Sequence, residues 1–274
     1  SLPVREMGKD LIAIRDFAQA AEGLGLKHLR VPDQIMRPDS GHLHEPMMLL
    51  SYIAAVTSKI ELVPSVIILP VRQTVYFAKQ AAELDSLSGG RVRLGIGVGG
   101  SKEEYQYLNM DFTNRGNRCS EQMKVLKQLW TRKVMDFDGT FHKISGASLN
   151  PLPKQRPIPM WIGGRALPSK PVIKRIAQHS DGWFVLCTPE EINRVREEVF
   201  AEAEKVGRTP EEFGQEAGVA VVGPREKEWQ TRISNWANNG LSHLCLRTLG
   251  GGLSVPQHIK TLKRVMNELP IEID

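Results

Sequence analysis

The sequence predicts an α/β chain folded as one (β/α)8 TIM barrel over residues 1–274, with a short hairpin inserted after the fourth helix. Three observations predict it. Short β-rich runs alternate with amphipathic runs along the chain, and strands in such alternation pair in parallel through right-handed crossovers. The length is that of a barrel folded as one unit. Seven strands and eight helices can be read, and the opening Ser1-Leu2-Pro3-Val4 looks like the tail of a first strand whose start is missing, making eight units. An open doubly wound sheet would show the same alternation.

The elements follow in order. Residues 11–24 carry apolar side chains at helical spacing and stop at Gly23 and Gly25. A strand at 28–32 precedes a loop holding His42 and His44, then a helix at 46–56 and a strand at 60–67. Residues 73–87 form the next helix, stopped by Ser88-Gly89-Gly90, and 91–99 the next strand. After a helix centred on 121–130, Asp138-Gly139 between Met135-Asp136-Phe137 and Thr140-Phe141-His142 is a hairpin turn signal. Strands at 158–163, 182–186, 217–222 and 243–247 alternate with helices at 171–179, 189–206, 226–238 and 255–269. Thr188 is the expected N-cap of the 189–206 helix.

A hydrophobic content of 41% and a charged content of 24% allow a sizeable core and argue against disorder. The net charge of +5 is scattered, with no arginine-aromatic stripe, so nucleic acid is not an expected partner. No run reaches the roughly 18 apolar residues of a membrane span, so no membrane is expected either. Cys119, Cys187 and Cys245 lie far apart without metal-ligand spacing, which points to a reducing cytoplasm and no metal.

Barrel enzymes work at the C-terminal ends of their strands. That rule selects Asp33 and Gln34, Ser65 and Val66, Gly97 and Gly99, and Gly163, Gly164 and Arg165. His42 and His44, with Asp33, are the candidate proton carriers. Gly95, Gly97 and Gly99 alternate with Leu94, Ile96 and Val98, so the glycines share one strand face. That face either leaves room for something flat or packs closely beside large neighbours. Trp161-Ile162-Gly163-Gly164 runs from a strand into a helix; glycines there let backbone N–H groups meet a phosphate, and Arg165 adds donors. Gly250-Gly251-Gly252 either closes over the same face or is a hinge.

These blocks resemble the bacterial-luciferase-like flavin oxidoreductase superfamily. They include Ala21-Glu22-Gly23-Leu24-Gly25 leading to Val31-Pro32-Asp33, and Glu83-Leu84-Asp85-Ser86-Leu87-Ser88-Gly89-Gly90-Arg91 leading to the fourth-strand glycines. Arg115-Gly116 with Arg118 and Glu121, Trp161-Ile162-Gly163-Gly164 and Asp181-Gly182-Trp183 complete the set. The resemblance implies FMN or the deazaflavin coenzyme F-420 (F420) as cofactor, somewhat favouring the F420-dependent branch. It assigns Gly163 and Gly164 to the cofactor phosphate, Ser65-Val66 to a non-prolyl cis peptide against the ring, Gly97 and Gly99 to the wall beside the ring, and Asp33 to the acidic residue after strand two. It also implies a homodimer. Gln34 stands where many members have His, and Gly100 where the F420-dependent sugar-phosphate dehydrogenases have Glu. The expected activity is hydride transfer between reduced cofactor and a small organic substrate. The alternatives are an FMN monooxygenase fed by a separate NAD(P)H flavin reductase, and a non-catalytic flavin-binding barrel.

Overall fold

The computed structural model describes residues 1–36, 41–164 and 167–271. A short turn of helix, α1 (Val4–Met7), leads to α2 (Leu11–Gly23). Asp10 caps α2, accepting the Ala13 N–H at 2.9 Å. Its buried side chains Ala13, Ile14, Phe17, Ala18 and Ala21 recur every three or four residues, which turns one face to the core. Then come β1 (His28–Val31), α3 (Pro46–Val56), β2 (Glu61–Pro64), β3 (Ile67–Ile68) and α4 (Thr74–Ser88). Gly89, left-handed at φ 76°, ends α4. Next are β4 (Leu94–Gly97), α5 (Lys102–Tyr107), α6 (Arg115–Thr131), and the strands β5 (Met135–Asp138) and β6 (Lys143–Ala147). The chain finishes with β7 (Met160–Ile162), α7 (Lys170–His179), β8 (Gly182–Phe184), α8 (Ile192–Glu204), β9 (Gly214–Ala220), α9 (Trp229–Asn238), β10 (His243–Arg247) and α10 (Val255–Asn267).

The strands close a parallel barrel. β3, β4, β7, β8, β9 and β10 are neighbours in that order, and β1 pairs with β2. β2 and β3 are two halves of one barrel strand: the first pairs with β1, the second with β4. The opening residues join the remaining edges, since Leu2 N–H donates to the Arg30 carbonyl at 2.9 Å and the Ser1 amine to that of Leu246 at 2.8 Å. Residues expected as the tail of a strand therefore do lie between β1 and β10, but Pro3 ends the pairing and Val4–Met7 turns into helix. Among the described residues no helix is long and apolar enough to cross a membrane.

Inside the barrel, Val63, Trp161 and Phe184 form a small apolar cluster with Val66 against it. Below it sits a charged layer. The fully buried Glu216 accepts Arg30 at 2.7 Å and Arg93 at 3.0 Å and faces His28 at 3.3 Å. Burial alone would raise the Glu216 carboxyl, but the bond from His28 and the charges of His28, Arg30 and Arg93 hold it far below the usual range. The guanidiniums also stack, Arg30 over Phe184 at 4.4 Å and Arg93 over Trp161 at 4.1 Å.

Three local expectations are corrected. The strand expected at 60–67 is interrupted after Pro64 by a cis Ser65-Val66 peptide. The hairpin forms, but its tight turn is not at Asp138-Gly139: Asp138 pairs with Lys143, leaving a loop at 139–142. Glu121 organises that loop, accepting the N–H groups of Thr140 and Phe141 and the His142 ring, each at 2.8 Å. Thr188 does not cap α8, which starts at Ile192; the Glu191 carboxylate accepts the Thr188 N–H instead.

Candidate active site

A cavity of about 570 Å³ opens over the C-terminal ends of the strands, in the size range of small-molecule and cofactor sites. Asp33 and Gln34 after β1, Ser65 and Val66 after β2, Gly97 and Gly99 at β4, and Gly163 and Gly164 after β7 all line it. Arg165 lies outside the described residues. The fold thus gathers these eight residues from four strand ends onto one surface. His42 and His44 are not part of that lining. Their rings meet edge to face at 4.5 Å, and His44 Nε2 is bonded to the Gly8 carbonyl at 3.0 Å, so of the three expected proton carriers only Asp33 is among the residues that line the cavity.

The glycines are explained by close packing. A Cβ on Gly97 would come within 2.4 Å of Val66 Cγ2, and one on Gly163 within 2.6 Å of Val66 Cγ1. Gly95 faces the Pro64 carbonyl and Phe184, and Gly99 faces Ile68. The space left by the missing side chains is therefore filled by the β2–β3 bulge, and Val66, not the glycine wall, is what the fold pushes toward the cavity. Arg30 holds the bulge from below, donating from Nε to Ser65 Oγ at 2.9 Å, with Nη2 on the same oxygen. Gly163 also spends its N–H on the Ile96 carbonyl at 2.9 Å, extending the β4–β7 ladder. Of the Gly163-Gly164 pair, only Gly164 keeps a donor with no backbone acceptor among the described residues.

Asp33 is stapled in place. Its Oδ2 accepts the Ile68 N–H and Arg72 Nη2, both at 3.0 Å, and Arg72 Nη1 continues to Glu45 at 2.9 Å. Oδ1 has no hydrogen bond among the described residues. Burial pushes the Asp33 carboxyl up, more than the Arg72 charge and the Ile68 N–H pull it down. Such a group can hold a proton closer to neutrality than an ordinary aspartate.

Sequence reasoning missed three lining residues that carry charge: the exposed Arg5 on α1, Glu104 and Arg175. Glu104, 4% exposed, reaches the cavity from α5, and its Oε1 accepts the Ile35 and Met36 N–H groups at 3.2 and 3.3 Å. The signal was present: Ser101-Lys102-Glu103-Glu104 has the serine-then-glutamate spacing of a helix start, and Ser101 Oγ accepts the Glu104 N–H. A buried carboxylate therefore lines the cavity one helical turn beyond Gly100. Arg175, on α7, was equally unmarked; it is buried and lines the same cavity. At α7's start, Ser169 also faces the cavity and its side chain makes no capping bond. The Gly250-Gly251-Gly252 run does not reach the cavity; Gly250 and Gly252 each donate to Glu6 at 3.1 Å.

His28, Glu216 and Cys245 approach closely enough to resemble a metal-ligand set. Both Glu216 oxygens, however, are already taken by guanidiniums, whose charges oppose a cation there.

Residues 3–239 match the luciferase-like monooxygenase family. An uncharacterized protein of Mycobacterium tuberculosis is 31% identical over 212 residues, covering 70% of this chain and 72% of that one. The structure of the monooxygenase RslO1 from Streptomyces bottropensis superposes with a TM-score of 0.83 at 18% identity, over 94% of this chain and 92% of that one. An F420-dependent secondary alcohol dehydrogenase, solved with an F420-acetone adduct, gives 0.80 at 16% identity, over 96% of each chain. The chain belongs to the luciferase-like monooxygenase family and is an oxidoreductase of that family.

Proposed function

We propose that this protein transfers a hydride between a reduced deazaflavin, coenzyme F420, and a small organic substrate. The observation that carries the reading is the cavity itself: its lining combines an apolar seat of Val66, Ile68, Ile162 and Phe184 with the Gly164 N–H, which has no backbone acceptor among the described residues, and with Ser169 at the start of α7. That arrangement suits a flat ring with an anionic tail. When bound, the coenzyme supplies the hydride-carrying carbon. The chain's own residues bind, orient and exclude water. The Ser65-Val66 bulge, clamped by Arg30, presents a rigid surface to the ring. Asp33 Oδ1, raised by burial, is the group within the cavity wall that can carry the substrate's proton. Gln34 offers an amide where an imidazole is missing and positions substrate by hydrogen bonding alone.

Binding FMN would use the same seat and make the protein a monooxygenase supplied by a separate flavin reductase. Mass spectrometry of the ligand released from purified protein, with equilibrium titration of F420 and FMN, separates the two. F420 binding with substrate-dependent reoxidation is expected; FMN retention with oxygen consumption would overturn the deazaflavin reading. Affinity for neither would support a barrel without a flavin function.

The chain is further proposed to work in the cytoplasm as a homodimer. Leu11, Ile12, Met48 and Tyr76, 51–67% exposed in the first turns of α2, α3 and α4, offer an apolar face at the rim of the catalytic end. Light scattering at micromolar concentration checks it; a monomer would contradict it.

A further inference from the structure

Arg175 is 6% exposed, yet no carboxylate pairs with it among the described residues. Its Nε donates to Ser120 Oγ at 2.9 Å and its Nη2 to the Gly116 carbonyl at 2.7 Å, both on α6. Nη1 has no partner among the described residues, although the side chain lines the cavity. The contrast with Arg93 is informative. Arg93, 3% exposed, is compensated by Glu61 at 2.9 Å and Glu216 at 3.0 Å. Arg175 is therefore a buried guanidinium on the cavity wall whose partners among the described residues are all neutral. A guanidinium taken out of water without an anion is costly, and a fold keeps one there when a ligand supplies the negative charge.

We infer that Arg175 is the counter-charge for the phosphate of the bound flavin or deazaflavin, with Gly164 N–H and Ser169 Oγ as neutral donors on the same cavity wall. The inference rests on the proposed cofactor reading. Two bonds to α6 fix the guanidinium plane and leave one edge to a phosphate, for which its fork of donors is suited. The start of α7 adds a dipole of the right sign. The assignment also accounts for an anion grip that Gly163, its N–H already spent on Ile96, cannot supply.

The test compares each cofactor with its phosphate-free counterpart: FMN with riboflavin, and F420 with the ribityl deazaflavin that lacks its phosphoryl tail. The two members of a pair share the ring, so their affinity ratio isolates the tail. Wild-type protein is expected to prefer the phosphorylated member of the pair it binds. Arg175→Gln should reduce that preference about 10- to 100-fold, the range of one charge-assisted bond, and leave the phosphate-free ligand's Kd nearly unchanged. Arg175→Lys, which keeps the charge but not the fork, should fall between the two. An unchanged ratio in Arg175→Gln overturns the role of Arg175 and leaves the cofactor reading standing. Wild-type protein that binds neither pair overturns the cofactor reading, and this inference with it. Should Arg175→Gln fail to fold, the salt dependence of the wild-type ratio decides. A phosphate preference that weakens at high salt supports a charged anchor, and one indifferent to salt contradicts it.

Discussion

Val66 decides more of the site than any glycine around it. Gly97 and Gly163 each stand where a Cβ would strike a Val66 methyl, at 2.4 and 2.6 Å, so both lack side chains to admit the bulge. Gly97→Ala is accordingly expected to cost about 1–3 kcal/mol, the usual penalty of overpacking, and to show it as a lower urea midpoint. Val66→Ala in the same background should recover part of the loss. Gly164 is different, since its N–H has no backbone acceptor among the described residues. Gly164→Pro should weaken cofactor binding at least tenfold while leaving the melting temperature of the unliganded protein within a few degrees. Asp33→Asn should lower turnover by about 10²- to 10⁴-fold, the span of a lost acid–base group, with cofactor Kd nearly unchanged. All eight strand-end residues singled out in the sequence and described in the structure reached the cavity, because barrel topology alone sends strand ends there. Their individual duties were less legible. Whether a glycine admits a neighbour or a ligand depends on what stands opposite it, and that neighbour is distant in sequence.

At the scale of elements, the strongly periodic helices and the β-rich strands were readable, because burying one face of each demands a fixed spacing of apolar residues. Short elements were not. α5 has only six residues and was left unread despite the Ser101–Glu104 cap signal, and with it went Glu104, the buried carboxylate on the cavity wall. The Asp138-Gly139 turn signal was overridden by Glu121, a residue on α6 whose carboxylate collects three donors from the loop at 139–142. Local propensity cannot anticipate such a tertiary acceptor. Glu121→Ala should therefore disorder the loop and uncouple the hairpin from α6, visible as faster amide exchange at Thr140 and Phe141 with little change at β7.

The whole molecule is tied together through Glu216, which joins β9 to Arg30 on β1 and to Arg93 beside β4 across the barrel interior. A carboxylate there was invisible to motif reading, since its partners come from β1 and from the residue before β4, both distant in sequence. Its folded pKa lies below its unfolded one, so its contribution is fully present above the ordinary carboxylate range and is lost as pH falls through the folded value. The melting temperature should therefore drop on acidification below about pH 4.5, and Glu216→Gln should show a shallower drop. At neutral pH, that variant leaves the part-buried Arg30 without a carboxylate and Arg93 with Glu61 alone, and is expected to lose about 3–5 kcal/mol. The same interior reaches the site, because Arg30 links Glu216 to Ser65 and so to the Val66 seat. The central claim is that this seat and the Gly164 N–H hold one coenzyme. A crystal structure with F420 or FMN bound tests it most directly. The account predicts the ring against Val66 and the phosphate beside Gly164; a ligand bound elsewhere, with that cavity vacant at saturating coenzyme, would contradict it.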